Sequence, residues 1–403
     1  MEKAQINEFI EQHKQEAVAL LEELGKIPAP SHKEGKRAAF CKKWFEQTGC
    51  NEVWIDEAQN VICKFNCDKY EDIVVLMAHT DVVFDDLEEL PMTRKGNILS
   101  APGIGDDTAN LVNLMMGAKF LVHHSHQLKT GIMIVANSCE EGLGNLKGCK
   151  EIFNNYGNRI RAFYSFDCYL SVCTSIPVGS HRYRIQIQTE GGHSYQDFGR
   201  DNAIHIAAQI INELYQIELP AGEITTYNVG KITGGTTVNS IPQEAVLLYE
   251  YRSCSEKCLK EMEQKFQQVI EKFRRQGKKV NVEILGIRPG AGEFDRTELE
   301  NWTKQNVACI QEFYDGKMDF APHSTDANIP LSMGMLANTI GTIRGGKAHT
   351  REEWVDLDSI PAGMGIVLSI LRLFVKSWGG ILQNPALFLC LELFYVYKFY
   401  VDN

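Results

Sequence analysis

His79 and Asp81 close an apolar run at residues 73–81, IVVLMAHTD, and their spacing is the first sign of chemistry in the chain. Residues two apart on an extended strand point to the same side. An imidazole that ligates a metal commonly has its other ring nitrogen oriented by a carboxylate, and Asp81 is spaced to do this for His79. The competing reading is a strand-end histidine bonded to backbone. A Gly-rich turn follows at 103–110, GIGDDTAN. Asp106 or Asp107 there is either a helix N-cap, the commoner role of Asp at such a place, or a metal ligand. Glu140 and Glu141 then end the apolar run 131–136, and Asp167 ends the run 162–166. Of two such glutamates, one can bind metal while the other, tuned by burial and the cation, acts as a general base. His123, His124 and His126 read instead as solvated residues that favour a helix dipole.

These side chains need elements to hold them. Residues 73–78 and 131–136 are short, uncharged and rich in β-branched residues, as strands buried on both faces of a parallel sheet are. Ligands bind at the carboxyl ends of such strands. Periodicity predicts helices over 4–25, 35–48, 111–122, 297–314 and 360–376, and strands over 51–55, 60–65 and 335–343. Ser31, with Glu34 three residues on, reads as the N-cap of the second helix, and Thr297 as a later N-cap. From His181 the pattern changes, because HRYRIQIQTE alternates polar and apolar as a one-sided strand does. A helix at 202–217, strands at 225–232 and 244–252, a helix at 256–276 and a strand at 279–285 complete a β-α-β-β-α-β unit.

At 403 residues the chain is long for one domain, and two is the natural expectation. A formal net charge of −11 argues against a nucleic-acid partner, which would call for basic stripes. Twelve cysteines are scattered through helix- and strand-like segments, as reduced cytosolic thiols are. Cys63/Cys67 and Cys254/Cys258 lack a nearby second pair and do not read as structural zinc sites. The charged N-terminal stretch is not expected to be a signal peptide.

Five motifs, HTD at 79–81, GIGDDTAN at 103–110, CEEG at 139–142, FD at 166–167 and GGKAHTREE at 345–353, together resemble the M20 family of metallopeptidases. The likeness is greatest to its peptidase T-like branch and covers roughly residues 15–375. It implies an α/β, zinc-exopeptidase-like fold, a mostly parallel sheet flanked by helices. The catalytic domain would span 1–179 and 287–376, with an inserted α+β, ferredoxin-like lid and dimerisation domain at 180–286. The resemblance further implies a dinuclear site in which His79 and Asp167 hold one metal, Glu141 and His349 hold the other, and Asp106 bridges them. Glu140 would be the general base and Asp81 would orient His79. Two ions sharing a carboxylate can hold a hydroxide between them and polarise the scissile carbonyl. Imidazole and carboxylate donors suit Zn2+, with Co2+ or Mn2+ as alternatives.

In the lid, His193 matches a histidine that stabilises the tetrahedral oxyanion, and Asn239 a residue that contacts substrate. The loop 321–328 matches a stretch lining the substrate pocket, and His323 is not expected to be a ligand. Arg252 is left open between an ion pair within the lid and a substrate carboxylate. The expected protein is a cytoplasmic metallo-exopeptidase of short peptides, an aminopeptidase or tripeptidase, with a homodimer formed through the lid. The alternatives are an amidohydrolase that deacylates N-acyl amino acids and a catalytically silent peptide-binding protein. The apolar tail 377–403 departs from the family pattern. It reads as a packed or interfacial element, a weak membrane association, or a terminus altered at the gene level. Pro385, Glu392 and Lys398 interrupt it, so no spanning segment of about 20 apolar residues is expected and no membrane partner is invoked.

Overall fold

The computed structural model describes residues 2–376, so the tail expected to be atypical lies outside the described residues. Two compact units result: 2–177 together with 293–376, and Val178–Gly292. Each is built by a different sheet logic.

In the first unit, Gly131–Asn137, Ile73–His79, Ile160–Phe166 and Leu336–Ile340 lie side by side and parallel. Antiparallel strands Val61–Phe65 and Val53–Ile55 extend one edge, and Cys173–Thr174 the other. Every residue of Ile73–His79 and Gly131–Asn137 is buried. Alternation sends Val74, Leu76 and Ala78 to the face covered by helices Lys3–Leu24, Gly35–Thr48, Asn110–His124 and Ile360–Arg372. Val75 and Met77 face the other layer, with Lys147–Tyr156 and Asn328–Ser332. Each fully buried aliphatic side chain stabilises by about 1.5–3 kcal/mol. A one-residue slip would exchange the faces of all of them, so the packing of 73–78 fixes where His79 and Asp81 point.

Two expected caps are placed differently. Helix Arg296–Gln311 is capped by Asp295, whose side chain accepts the N–H groups of Thr297 (2.9 Å) and Glu298 (3.2 Å), so Thr297 lies within the first turn, two positions past the cap. Ser31 caps nothing, because the cap position of Gly35–Thr48 falls on Glu34, and the Ser31 hydroxyl donates to Asp81 instead. The strand expected to reach residue 343 ends at Ile340. At Gly341 the chain turns against Tyr169, whose carbonyl oxygen would sit 1.9 Å from any Cβ there.

A small antiparallel sheet of Gly345–Gly346, Trp354–Asp356, Ile98–Ser100 and Thr93–Lys95 completes this unit. It presents the segment 347–353, with His349 at a positive φ of 61°.

The Val178–Gly292 unit is an antiparallel sheet in which Lys279–Arg288, Gly179–Gln188, Glu244–Ser253 and Thr225–Gly234 are neighbours in that order. This is the four–one–three–two order of a split β-α-β sandwich. Helices Ala203–Leu214 and Glu256–Arg275 bury Ile206, Ile210, Met262 and Phe266 against one sheet face, in one core with Ile185, Leu247 and Tyr249. Among the described residues no helix is long and apolar enough to cross a membrane.

Candidate metal centre

The carboxyl ends of the parallel strands, the Gly-rich turn and the 347–353 segment bring seven of the expected residues together. Asp106 sits among them, and its two carboxylate oxygens face different imidazoles. Oδ1 is 3.1 Å from His79 Nε2, and Oδ2 is 3.2 Å from His349 Nε2. His349 Nε2 is also 3.3 Å from Glu141 Oε1. Donor atoms of His79, Glu140 and Asp167 lie within 4.8 Å of one another, as do those of His79, Asp106 and Glu141. Glu140 Oε2 stands 4.0 Å from His79 Nε2.

Asp81 does more than orient one ring. His79 Nδ1 lies 3.0 Å from the Asp81 carbonyl oxygen and 3.5 Å from its carboxylate. The carboxylate itself accepts the backbone N–H groups of Glu140 and Glu141, both at 2.9 Å, and the Ser31 hydroxyl at 2.6 Å. It thereby fixes the backbone that carries both glutamates.

Several residues of the site have roles that sequence reasoning did not assign. Asp107 accepts the His79 N–H at 2.9 Å and the Asn110 amide at 2.7 Å, so neither aspartate serves as a helix cap. Arg37 is fully buried and donates to the Ile27 and Thr80 carbonyls and to the Thr108 hydroxyl. Asp326, inside the loop expected to line a pocket, is buried and accepts the Asn137 amide at 2.6 Å. Glu353 accepts backbone N–H groups of the Gly-rich turn. Asp107 and Glu353 stood inside motifs already singled out, and Asp326 inside the loop 321–328, but no local pattern assigned their partners. Arg37 sits in an ordinary amphipathic helix, and its burial has no signature in the sequence.

The electrostatics fit divalent cations. Burial, then repulsion from Asp106, pushes Glu141 up to about 8 and Asp167 up to about 7. Burial likewise raises Asp107 and Asp326 well above the carboxylate range. Desolvation also acts on the partly buried Asp106, but His349 and His79 outweigh it and hold the carboxyl below the usual range. Asp106, then Glu141, pushes His349 up to about 11. Burial opposes the charged form of His79, yet Asp107, Asp106 and Asp81 raise it well above its usual value. The two imidazoles thus stand among a dense set of carboxylates. Glu141 Oε1 and Asp326 Oδ1 are buried with no aligned hydrogen bond. Buried carboxylates with unsatisfied oxygens beside imidazole nitrogens are a donor set that suits hard or borderline cations.

His193 and Asn239 belong to the second unit. There Gly192–His193 pairs with Ser240–Ile241, and Ser194 donates its N–H to the Asn239 carbonyl at 3.1 Å. The two residues are neighbours on one exposed corner. Arg252 makes a two-point ion pair with Glu250 at 2.9 and 3.1 Å, the first of the two roles left open for it. His323 is partly buried, with Nδ1 3.7 Å from Cys168 Sγ, and it stands in neither group of candidate ligands.

Comparison with known proteins agrees with this geometry. A peptidase dimerisation domain model matches residues 178–278, and a peptidase family M28 model matches 60–217, the stretch holding His79, Asp106, Glu140, Glu141 and Asp167. A tripeptidase from Staphylococcus aureus superimposes with a TM-score of 0.72 at 22% identity, covering 90% of this chain and 98% of that one. Aminopeptidase PepT from Bacillus cereus gives 0.65 at 19%, covering 90% and 99%. A dinuclear metal-binding peptidase of the M20 family from Bacillus subtilis gives 0.60 at 14%, covering 91% and 100%. At these identities the structural likeness is one of fold. Together with the dimerisation-domain match, that fold agrees with the resemblance to the M20 metallopeptidases carried by the five motifs.

Proposed function

We infer that the protein is a di-metal exopeptidase of short peptides, acting as an aminopeptidase or tripeptidase. The observation that carries this is Asp106, with one carboxylate oxygen toward His79 and the other toward His349. A carboxylate so placed could be shared by two cations. His79 and Asp167 would hold one ion and Glu141 and His349 the other, zinc being the best match to these donors and cobalt or manganese the alternatives. When bound, such ions polarise the scissile carbonyl and lower the pKa of water.

The chain's own residues do the rest. Glu140 takes a proton from the attacking water and returns it to the departing amine nitrogen, which needs a carboxylate held close to both. Asp81 fixes that carboxylate's backbone through the N–H groups of Glu140 and Glu141. Asp107 holds the His79 backbone from the other side. His193 and Asn239 serve the substrate, His193 at the developing oxyanion.

A homodimer through the Val178–Gly292 unit is supported by the dimerisation-domain match. A cytoplasmic setting is supported by eleven free thiols among the described residues.

Metal content measured on purified protein, with tripeptide hydrolysis followed in the same sample, tests this reading. About two equivalents of zinc or manganese with release of a free N-terminal residue is the expected result. Two equivalents with cleavage of N-acyl amino acids alone would replace the peptidase with a deacylase. Absence of bound metal after reconstitution would overturn the mechanism and favour a silent peptide-binding protein.

A further inference from the structure

Glu353 lies four residues beyond His349 and is fully buried, and no step of the proposed reaction uses it. Its carboxylate gathers hydrogen bonds from the Gly-rich turn. Oε2 accepts the Gly103 N–H at 2.9 Å, and Oε1 accepts the N–H groups of Gly105 at 2.8 Å and Asp106 at 2.7 Å. The Tyr169 hydroxyl donates to the same Oε1 at 3.3 Å. The approach is close: a Cβ on Gly105 would lie 3.0 Å from Glu353 Oε1 and 2.6 Å from the Tyr169 ring.

A buried carboxylate that only stabilised a turn could meet any of that turn's amides. This one meets the amide of Asp106, whose two oxygens face His79 and His349. It also shares a seven-residue stretch with His349 itself, from Lys347 to Glu353. One side chain therefore ties the direction of the central carboxylate to the segment bearing the histidine it faces. His79 needs no such tie, because a buried strand and the Asp107 carboxylate already hold it.

We propose that Glu353 is a positioning residue of the metal centre, which aims the Asp106 carboxylate through the Gly105 and Asp106 amides and couples it to His349. The proposal rests on the di-metal reading above. Its consequence is asymmetric: losing Glu353 weakens the ion held by Glu141 and His349 more than the ion held by His79 and Asp167.

Calorimetric titration of Zn2+ into the metal-free full-length protein tests this, comparing wild type with Glu353→Gln, Glu353→Asp and Tyr169→Phe. The Gln variant has one acceptor oxygen, and its amide nitrogen must face an N–H group. It is expected to lose about 10–100-fold in affinity for one of two ions, the usual cost of removing an outer-shell partner. The other ion should bind within about threefold of wild type. Glu353→Asp keeps both acceptors but withdraws them by one methylene, and a several-fold loss at the same ion is expected. It keeps the test open if the Gln variant does not fold. Tyr169→Phe, which leaves the amide contacts in place, should bind both ions as wild type does. Lowered thermal stability of the Gln or Asp variant with both affinities unchanged would reduce Glu353 to a structural acid and overturn the proposal. Wild type that binds no Zn2+ would instead defeat the di-metal reading itself, a different failure.

Discussion

The two sheets of this protein treat polar side chains in opposite ways. In the parallel sheet, strands buried on both faces run without charge, apart from the exposed Arg161 near the start of Ile160–Phe166, and end abruptly in His79, the stretch before Glu140 and Glu141, and Asp167, all of which are buried. In the antiparallel sheet of Val178–Gly292, polar residues alternate with apolar ones along Gly179–Gln188 and Glu244–Ser253, and the outward set is largely in reach of water. Burying a carboxylate or imidazole is costly unless it is paired, so a polar strand end in the first sheet demands an explanation. A charge on the open face of the second sheet demands none. Charge in a sequence is informative in proportion to how deeply its surroundings bury it.

Four substitutions would break or sharpen that contrast. Asp106→Asn removes the charge shared between the two imidazoles. Activity should fall by more than about 100-fold, beyond the usual cost of an outer-shell change, with loss of at least one bound ion by elemental analysis. Glu140→Gln should lower kcat by about 10²–10⁴-fold while both ions stay bound, read by kinetics and metal content on one preparation. Retention of full activity in this variant would remove Glu140 as the base.

Asp81→Asn is a smaller change with a mixed signature. An amide cannot accept from the Glu140 and Glu141 N–H groups with both of its ends. The stability cost is about 1–3 kcal/mol, from an unsatisfied buried donor, seen in denaturant melts together with reduced kcat. Arg252→Gln, on the second sheet, breaks a partly exposed ion pair with Glu250. It should move stability by less than about 0.5 kcal/mol and leave metal binding and KM untouched. A large rise in KM would mean that Arg252 reaches substrate after all.

The chain's own residues explain which parts of this could be read beforehand. His79, Glu140, Glu141 and Asp167 each end an apolar run, and the break in pattern is local, so they were legible. Asp106 and His349 were legible through motif resemblance, because a Gly-rich turn carries no burial pattern of its own. Ser31 was misread, since Ser followed by Glu three residues on is a good capping signal. Its hydroxyl is instead committed to Asp81, fifty residues away. Glu353 was passed over for a similar reason. Its partners are backbone amides about 250 positions distant, and backbone donors are the same at every residue. Arg37 reads as one more cation on a helix, and only the fold makes it a buried one. The second unit was legible through its strand and helix periods, which are set by one-sided burial.

The most direct test of the central claim is anomalous diffraction from crystals grown or soaked with manganese or zinc. The account predicts two anomalous peaks flanking the Asp106 carboxylate, one beside His79 and Asp167 and the other beside His349 and Glu141. A single peak, or peaks away from Asp106, would contradict it.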